Sequence, residues 1–157
     1  MDIKYLKDEE YLPELLSAIG SAKTSVYAII YLCKYVRKRQ NDQAKQVIDY
    51  MINRHYAGVD VKIIFHVGQH VRRIPGWNLL VFNDLKKIGM NVKIWKQRRI
   101  LHAKTIIIDN KLVFIGSHNI SNTSLRESAE LSVLISGDEQ GKKAAIIFDM
   151  FWQLGII

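Results

Sequence analysis

The chain has 157 residues, 48% of them hydrophobic and 24% charged, an ordinary globular mix that suits one domain over 1–157. A chain of this size buries roughly 70% of its unfolded surface, so it needs no disulfide or metal staple, and Cys33 as sole cysteine excludes an intrachain disulfide. Lys and Arg exceed Asp and Glu by 23 to 15, a formal charge of +8, which favours polyanionic partners: nucleic acid first, acidic membrane surfaces second. The opening MDIKYLKDEE lacks the apolar core of a signal peptide. The longest early apolar run, SVYAIIYLC, is about half what a bilayer span requires. The expectation is a cytoplasmic protein without stable membrane insertion.

In chain order, Pro13–Ala22 reads as a helix with proline in its first turn and Gly20 near its end. TSVYAIIYL is a short β-branched and aromatic run, a buried strand. The basic stretch KYVRKR spans Lys34–Arg39. Asn41–Tyr56 is helical, with Ala44, Val47, Ile48, Met51 and Ile52 at helical spacing and Gly58 as stop. VDVKIIFH is a strand, VGQHVRRIPG a loop, Trp77–Ile88 a helix closed by Gly89, NVKIWK a strand and QRR a turn. Two strands follow, His102–Asp109 and Leu112–Ser117, then a polar segment NISNTSLRES with room for one short helix. ELSVLIS is a strand, and DEQGKKAAIIFDMFWQLG an amphipathic helix with an acidic start. This alternation predicts an α/β fold: a mixed, mainly parallel sheet with an antiparallel hairpin and helices on both faces.

The hairpin concentrates the chemistry. With Asn110-Lys111 as a two-residue turn, Asp109 pairs with Leu112, Lys104 with Ser117 and His102 with Asn119. Opposed residues share a face about 5 Å apart, so this register gathers His102, Lys104, Ser117 and Asn119 at the hairpin's open end. Such a set suits a phosphodiester. Lysine and an amide donate to non-bridging oxygens, and an imidazole attacks phosphorus or moves a proton near neutral pH. Asp109 has the opposite parity and lies about 23 Å along a straight strand from His102. It is assigned to the turn, its carboxylate accepting backbone N–H bonds.

The pattern H-x-K-x4-D-x6-G-S-x-N, here His102, Lys104, Asp109, Gly116, Ser117 and Asn119, resembles the signature of the phospholipase D superfamily. AKTSVYAIIYL and YAGVDVKIIFH resemble that family's strands upstream. Downstream, SAE stands where the family has N-x-E, with Ser128 for the asparagine and Glu130 retained; Glu127 is the competing choice. The resemblance implies a phospholipase D-like fold and hydrolysis without cofactor or metal. It implies a nucleophilic motif histidine that forms phosphohistidine and a second motif histidine as general acid, then base. It also implies Glu130 as acceptor for the His102 ring N–H, fixing its tautomer. Most members carry two motifs; this chain has one, like the short endonucleases of the superfamily that dimerise. One imidazole cannot be phosphorylated and act as general acid in the same step, so a two-fold axis beside His102 is expected to supply the second.

Other candidates are weaker. Arg72, Arg73, Lys96, Arg98 and Arg99 lie in basic stretches with aromatic neighbours, VRRIPGW and WKQRR, which suit a nucleic-acid backbone. His66 and His70 have ligand spacing, but Gly68 and the lack of a third ligand type count against zinc. His118 is expected to point to the opposite face as an unreactive residue, His55 to close a helix, and Tyr31 to pack in the core or line the cleft. The expectation is a nucleic-acid phosphodiesterase active as a homodimer. The alternatives are an enzyme acting on phospholipid and a non-catalytic nucleic-acid-binding module.

Overall fold

A computed structural model describes residues 1–36, 39–67 and 74–157. Along the chain run β1 (Asp2–Lys7), α1 (Tyr11–Ser21), β2 (Ser25–Ile30), β3 (Cys33–Lys34), α2 (Gln43–Tyr56), β4 (Asp60–His66), α3 (Ile74–Lys87), β5 (Asn91–Trp95), β6 (Thr105–Ile108), β7 (Leu112–Gly116), β8 (Ile120–Ser121), β9 (Leu131–Ser136) and α4 (Asp138–Leu154). A short 3-10 turn at Asp8–Glu10 and a single π-helical turn at Thr123–Glu127 complete the connections.

Seven strands form one sheet in the order β1-β9-β7-β6-β2-β4-β5. β2, β4 and β5 are parallel, whereas β1–β9, β9–β7, β7–β6 and β6–β2 pair antiparallel. The expected α/β class and mixed sheet are present, but antiparallel pairing reaches well past the one hairpin. The β2–β6 and β7–β9 pairs are antiparallel too, and at the N-terminus Asp2–Lys7 adds an edge strand to β9. Its DIKYLK sequence buries only Leu6, so it carries none of the alternation that marks a half-buried strand.

One sheet face is covered by α1, α2 and α3. Leu15 and Ile19, Val47 and Met51, and Val81 and Leu85 meet Val26, Ile63, Ile106 and Phe114 there. The other face is covered by α4, whose Phe148 packs with Ile29, Ile64, Ile107 and Val113. α4 contributes Gly141 at its closest approach: a Cβ there would stand 2.0 Å from the Asn110 carbonyl oxygen. Among the described residues no helix is long and apolar enough to cross a membrane.

The hairpin register differs from expectation by one residue. Ile108 faces Leu112 and Thr105 faces Ile115, leaving a three-residue loop, Asp109–Lys111, closed by Lys111 N–H to the Ile108 carbonyl at 3.0 Å. Asp109 and Asn110 both take positive φ, 53° and 52°, a conformation that Asp and Asn tolerate best after glycine. Asp109 is drawn out of the ladder by its carboxylate. It accepts from the Lys23, Thr24 and Ser25 amides and the Thr24 hydroxyl at 2.7–3.1 Å. The carboxylate thus does accept backbone N–H bonds, but those of the turn entering β2 and not of its own. Partial burial would raise the Asp109 pKa, but these hydrogen bonds outweigh it and hold the carboxyl below its ordinary value.

Candidate active site

The motif side chains gather where β2 and β4 end, β6 begins and β7 ends. The paired ladder stops at Thr105 and Gly116, so His102, Lys104, Ser117 and Asn119 sit in the segments just beyond it. Cross-strand opposition therefore does not assemble the cluster. Loop conformation and side-chain hydrogen bonds do.

His102 is exposed and Lys104 half-buried. Lys104 donates to the His102 carbonyl at 2.8 Å, and its Nζ stands 3.4 Å from His102 Nε2. An ammonium has donors only, so the ring nitrogen facing it presents a lone pair. Tyr31 closes the cluster from the end of β2. Its ring meets the His102 ring edge-on at 4.4 Å, and Lys104 Nζ lies 4.7 Å from its centroid. Tyr31 thus lines the cleft. Desolvation and the nearby Lys104 charge both push His102 below its usual pKa, which favours the neutral, nucleophilic ring at neutral pH. Burial also lowers Lys104, while Glu130 pulls it back up.

Glu130 organises the other side. It accepts from the Ser117 hydroxyl and, at 2.6 Å, from the Ser124 hydroxyl. Ser124 in turn accepts from the Asn119 N–H at 2.8 Å. Expected against the His102 ring, Glu130 instead takes two serines and fixes the Ser117–Asn119 segment. Ser124, in the π-helical turn, escapes sequence reasoning because nothing in NISNTSLRES distinguishes it from its hydroxyl neighbours. Glu127 is exposed and borders a surface depression with Asp8, Glu9 and Glu10. Asn119 and Lys104 line a small cleft with Tyr31, Thr105 and His118.

Two motif neighbours have structural work. At Gly116 a Cβ would stand 2.3 Å from Ser132 Oγ and 2.4 Å from its Cα, so only glycine lets β9 approach β7. The Ser132 hydroxyl meets His118 Nδ1 at 2.7 Å, while His118 Nε2 meets the Asp8 carbonyl at 3.0 Å. The His118 ring stacks on Tyr11 at 4.2 Å. His118 is therefore a buried packing histidine, kept from protonating chiefly by desolvation. His66 is also buried, and its Nδ1 accepts from the Leu101 amide at 3.4 Å, one residue before His102. His55 stands in the last turn of α2. Lys96, Arg98 and Arg99 are exposed on the segment leading to His102. Arg72, Arg73 and His70 lie outside the described residues.

With this geometry in place, comparison with known proteins is informative. A family model described as cardiolipin synthase, PLD-like domain, matches residues 15–152. Cardiolipin synthase A of Buchnera aphidicola subsp. Acyrthosiphon pisum (strain Tuc7) is 27% identical over 129 residues, covering 82% of this chain and 24% of the relative. The corresponding protein of B. aphidicola subsp. Baizongia pistaciae is 27% identical over 94 residues, covering 60% of this chain and 19% of its own length. The chain thus spans a quarter or less of these curated relatives. Among solved structures, the phospholipase D family member Nuc from Salmonella typhimurium superimposes with a TM-score of 0.81 at 23% identity, covering 99% of this chain and 96% of Nuc. NucT from Helicobacter pylori gives 0.76 at 20% identity, covering 99% of each chain. The sheet order, the helical layers and the motif at the strand ends are accounted for together: the chain belongs to the phospholipase D superfamily through a PLD-like domain.

Proposed function

We propose that the protein hydrolyses nucleic-acid phosphodiester bonds through a phosphohistidine, with an active site completed by a second copy of the chain. The observation that carries this reading is exposed His102 with its Nε2 3.4 Å from Lys104 Nζ, a nucleophilic nitrogen beside a cation able to bind phosphate. In the first step Nε2 attacks phosphorus and the P–O bond to the leaving group breaks. His102 of the partner subunit gives its proton to the departing oxygen. In the second step the partner's His102 takes a proton from water, which attacks phosphorus, and the N–P bond breaks. Lys104 and the Asn119 amide hold the non-bridging oxygens as charge develops, and Glu130 keeps Asn119 in place through Ser124.

An apolar corner supports the second copy. On the α4 side of the sheet, Ile115 is 43% exposed, Leu131 55% and Tyr5 70%, and Ile115 and Tyr5 both lie opposite Val133. Ile115 directly precedes Gly116-Ser117 and Leu131 directly follows Glu130. A two-fold contact over this corner buries it and brings the two clusters into one cleft.

Nucleic acid is favoured as substrate by the +8 charge and by exposed Lys96, Arg98 and Arg99 beside the cluster. Phosphate contacts of this kind carry little sequence preference and weaken steeply with salt. The second reading, a phospholipid substrate, draws on the cardiolipin synthase relatives, since the same cluster reads the diester and not its substituents. The deciding experiment incubates the purified protein with labelled DNA, RNA and phosphatidylglycerol vesicles in EDTA, then quenches in base to trap phosphohistidine. Nucleic-acid cleavage with a labelled protein adduct is expected, and His102→Ala loses both, at least about 10³-fold in rate. Cleavage of vesicles alone turns the assignment to lipid. Full cleavage by His102→Ala removes the nucleophile.

A further inference from the structure

We propose that Trp77 and Lys34 form a stacking subsite for an unpaired base next to the scissile phosphate, so that the preferred substrate is single-stranded nucleic acid. This rests on the nucleic-acid reading above and narrows it. Lys34, Gly76, Trp77 and Leu80 line an open depression. Leu80 is 53% exposed, and even a Cβ on Gly76 would meet nothing within 4 Å. Lys34 Nζ lies 4.9 Å from the centre of the Trp77 ring. An aromatic face with a cation over it matches the alternation of base and phosphate along a strand.

The placement is rigid. Asn78, fully buried in α3, accepts from the Cys33 amide at 2.7 Å and donates to the Tyr31 and His66 carbonyls, both at 2.8 Å. Trp77 is one residue from Asn78, and Lys34 one residue from Cys33. A single amide therefore locks the platform to Tyr31, whose ring touches His102. β3 also pairs with β8, Cys33 opposite Ile120, which puts Lys34 beside the chain leaving Asn119. The nucleotide next to a phosphate held by Lys104 and Asn119 is the one assigned to this depression. Lys34 moves from the ring face to the next phosphate as the base takes its place. Among the described residues, Trp77 and Leu80 are the apolar part of the depression's lining.

The test measures binding and turnover. Fluorescent single-stranded oligothymidylate is titrated into His102→Ala and into the double variant His102→Ala/Trp77→Ala, both confirmed folded by circular dichroism. About tenfold weaker binding in the double variant is expected, with most of it restored by Trp77→Phe. In the active protein, Trp77→Ala lowers kcat/KM on the oligonucleotide about tenfold more than on methyl 4-nitrophenyl phosphate, which has no neighbouring nucleotide. Lys34→Ala reduces the slope of log affinity against log salt by about one. Equal binding by His102→Ala and the double variant overturns the subsite while leaving nuclease activity standing. Equal losses on both substrates make Trp77 a packing residue, and a loss confined to phosphatidylglycerol vesicles reassigns the depression to lipid. Oligonucleotide binding that depends on Trp77 without any cleavage retains the subsite and removes the nuclease reading.

Discussion

His102 stands beside a cation, and that neighbour adds to the desolvation that lowers its pKa. Lys104 disfavours the imidazolium, so removing the ammonium raises the His102 pKa from its lowered value back toward the ordinary 6.5 or so. In Lys104→Met, NMR titration of the His102 ring is expected at higher pH than in wild type, and the acid limb of any pH–rate profile moves up with it. A titration that stays put means that desolvation alone lowers His102. Glu130 illustrates the limit of reading one residue at a time. Its proximity to the motif is legible from spacing, but its partners are not. Ser117 and Ser124 are chosen by the path of β9 and the π-helical turn, which no local pattern specifies. His118, expected on the opposite face, lines the same small cleft as Lys104 and Asn119. Its latch combines Ser132 of β9 with the Asp8 carbonyl of the turn after β1, 110 residues away.

At the scale of elements, helical periodicity locates all four helices within a few residues, because each buries one apolar stripe. The hairpin shows where such patterns stop. Two-residue and three-residue loops both suit Asp-Asn-Lys, and only the demand of three amides at Lys23–Ser25 for the Asp109 carboxylate decides between them. Asp109→Ala is expected to cost about 2 kcal/mol in denaturant titration, the scale of hydrogen bonds to a charged acceptor, with activity per folded molecule retained because the loop lies at the far end of β6 from His102. The pH dependence carries a sign. A carboxyl whose pKa is lowered by folding stabilises fully above its unfolded value of about 3.9. That contribution vanishes as pH falls through the folded value, so wild type and variant converge in acid and diverge toward neutral pH. A constant gap across that range excludes the ionised carboxylate as the source.

For the whole molecule the prediction concerns assembly. Leu131→Asp places a charge in the apolar corner and changes only the side chain of a residue whose backbone is bonded to Ser117. Sedimentation is expected to show a dimer for wild type and a monomer for the variant, and cleavage should fall by about 10²–10⁴-fold, the worth of a positioned general acid. A mixed dimer of Leu131→Asp with wild type is not expected to recover it. Dimeric, active Leu131→Asp places the two-fold contact elsewhere. The α/β class and the motif were legible from sequence because both rest on short-range spacing. The edge strand β1 was not, because it gains its meaning only from β9, more than a hundred residues away.

The position of the cluster across the sheet has a kinetic consequence. Tyr31 hangs from β2, flanked on both sides by paired strands, whereas Glu130 hangs beside β9, which only β1 separates from the sheet edge. Fraying begins at edges, so on warming the serine latch loosens while the aromatic wall still stands. Heat should silence the enzyme several degrees before the core gives way, and amide exchange should rise first along Asp2–Lys7 and last along Val26–Ile30.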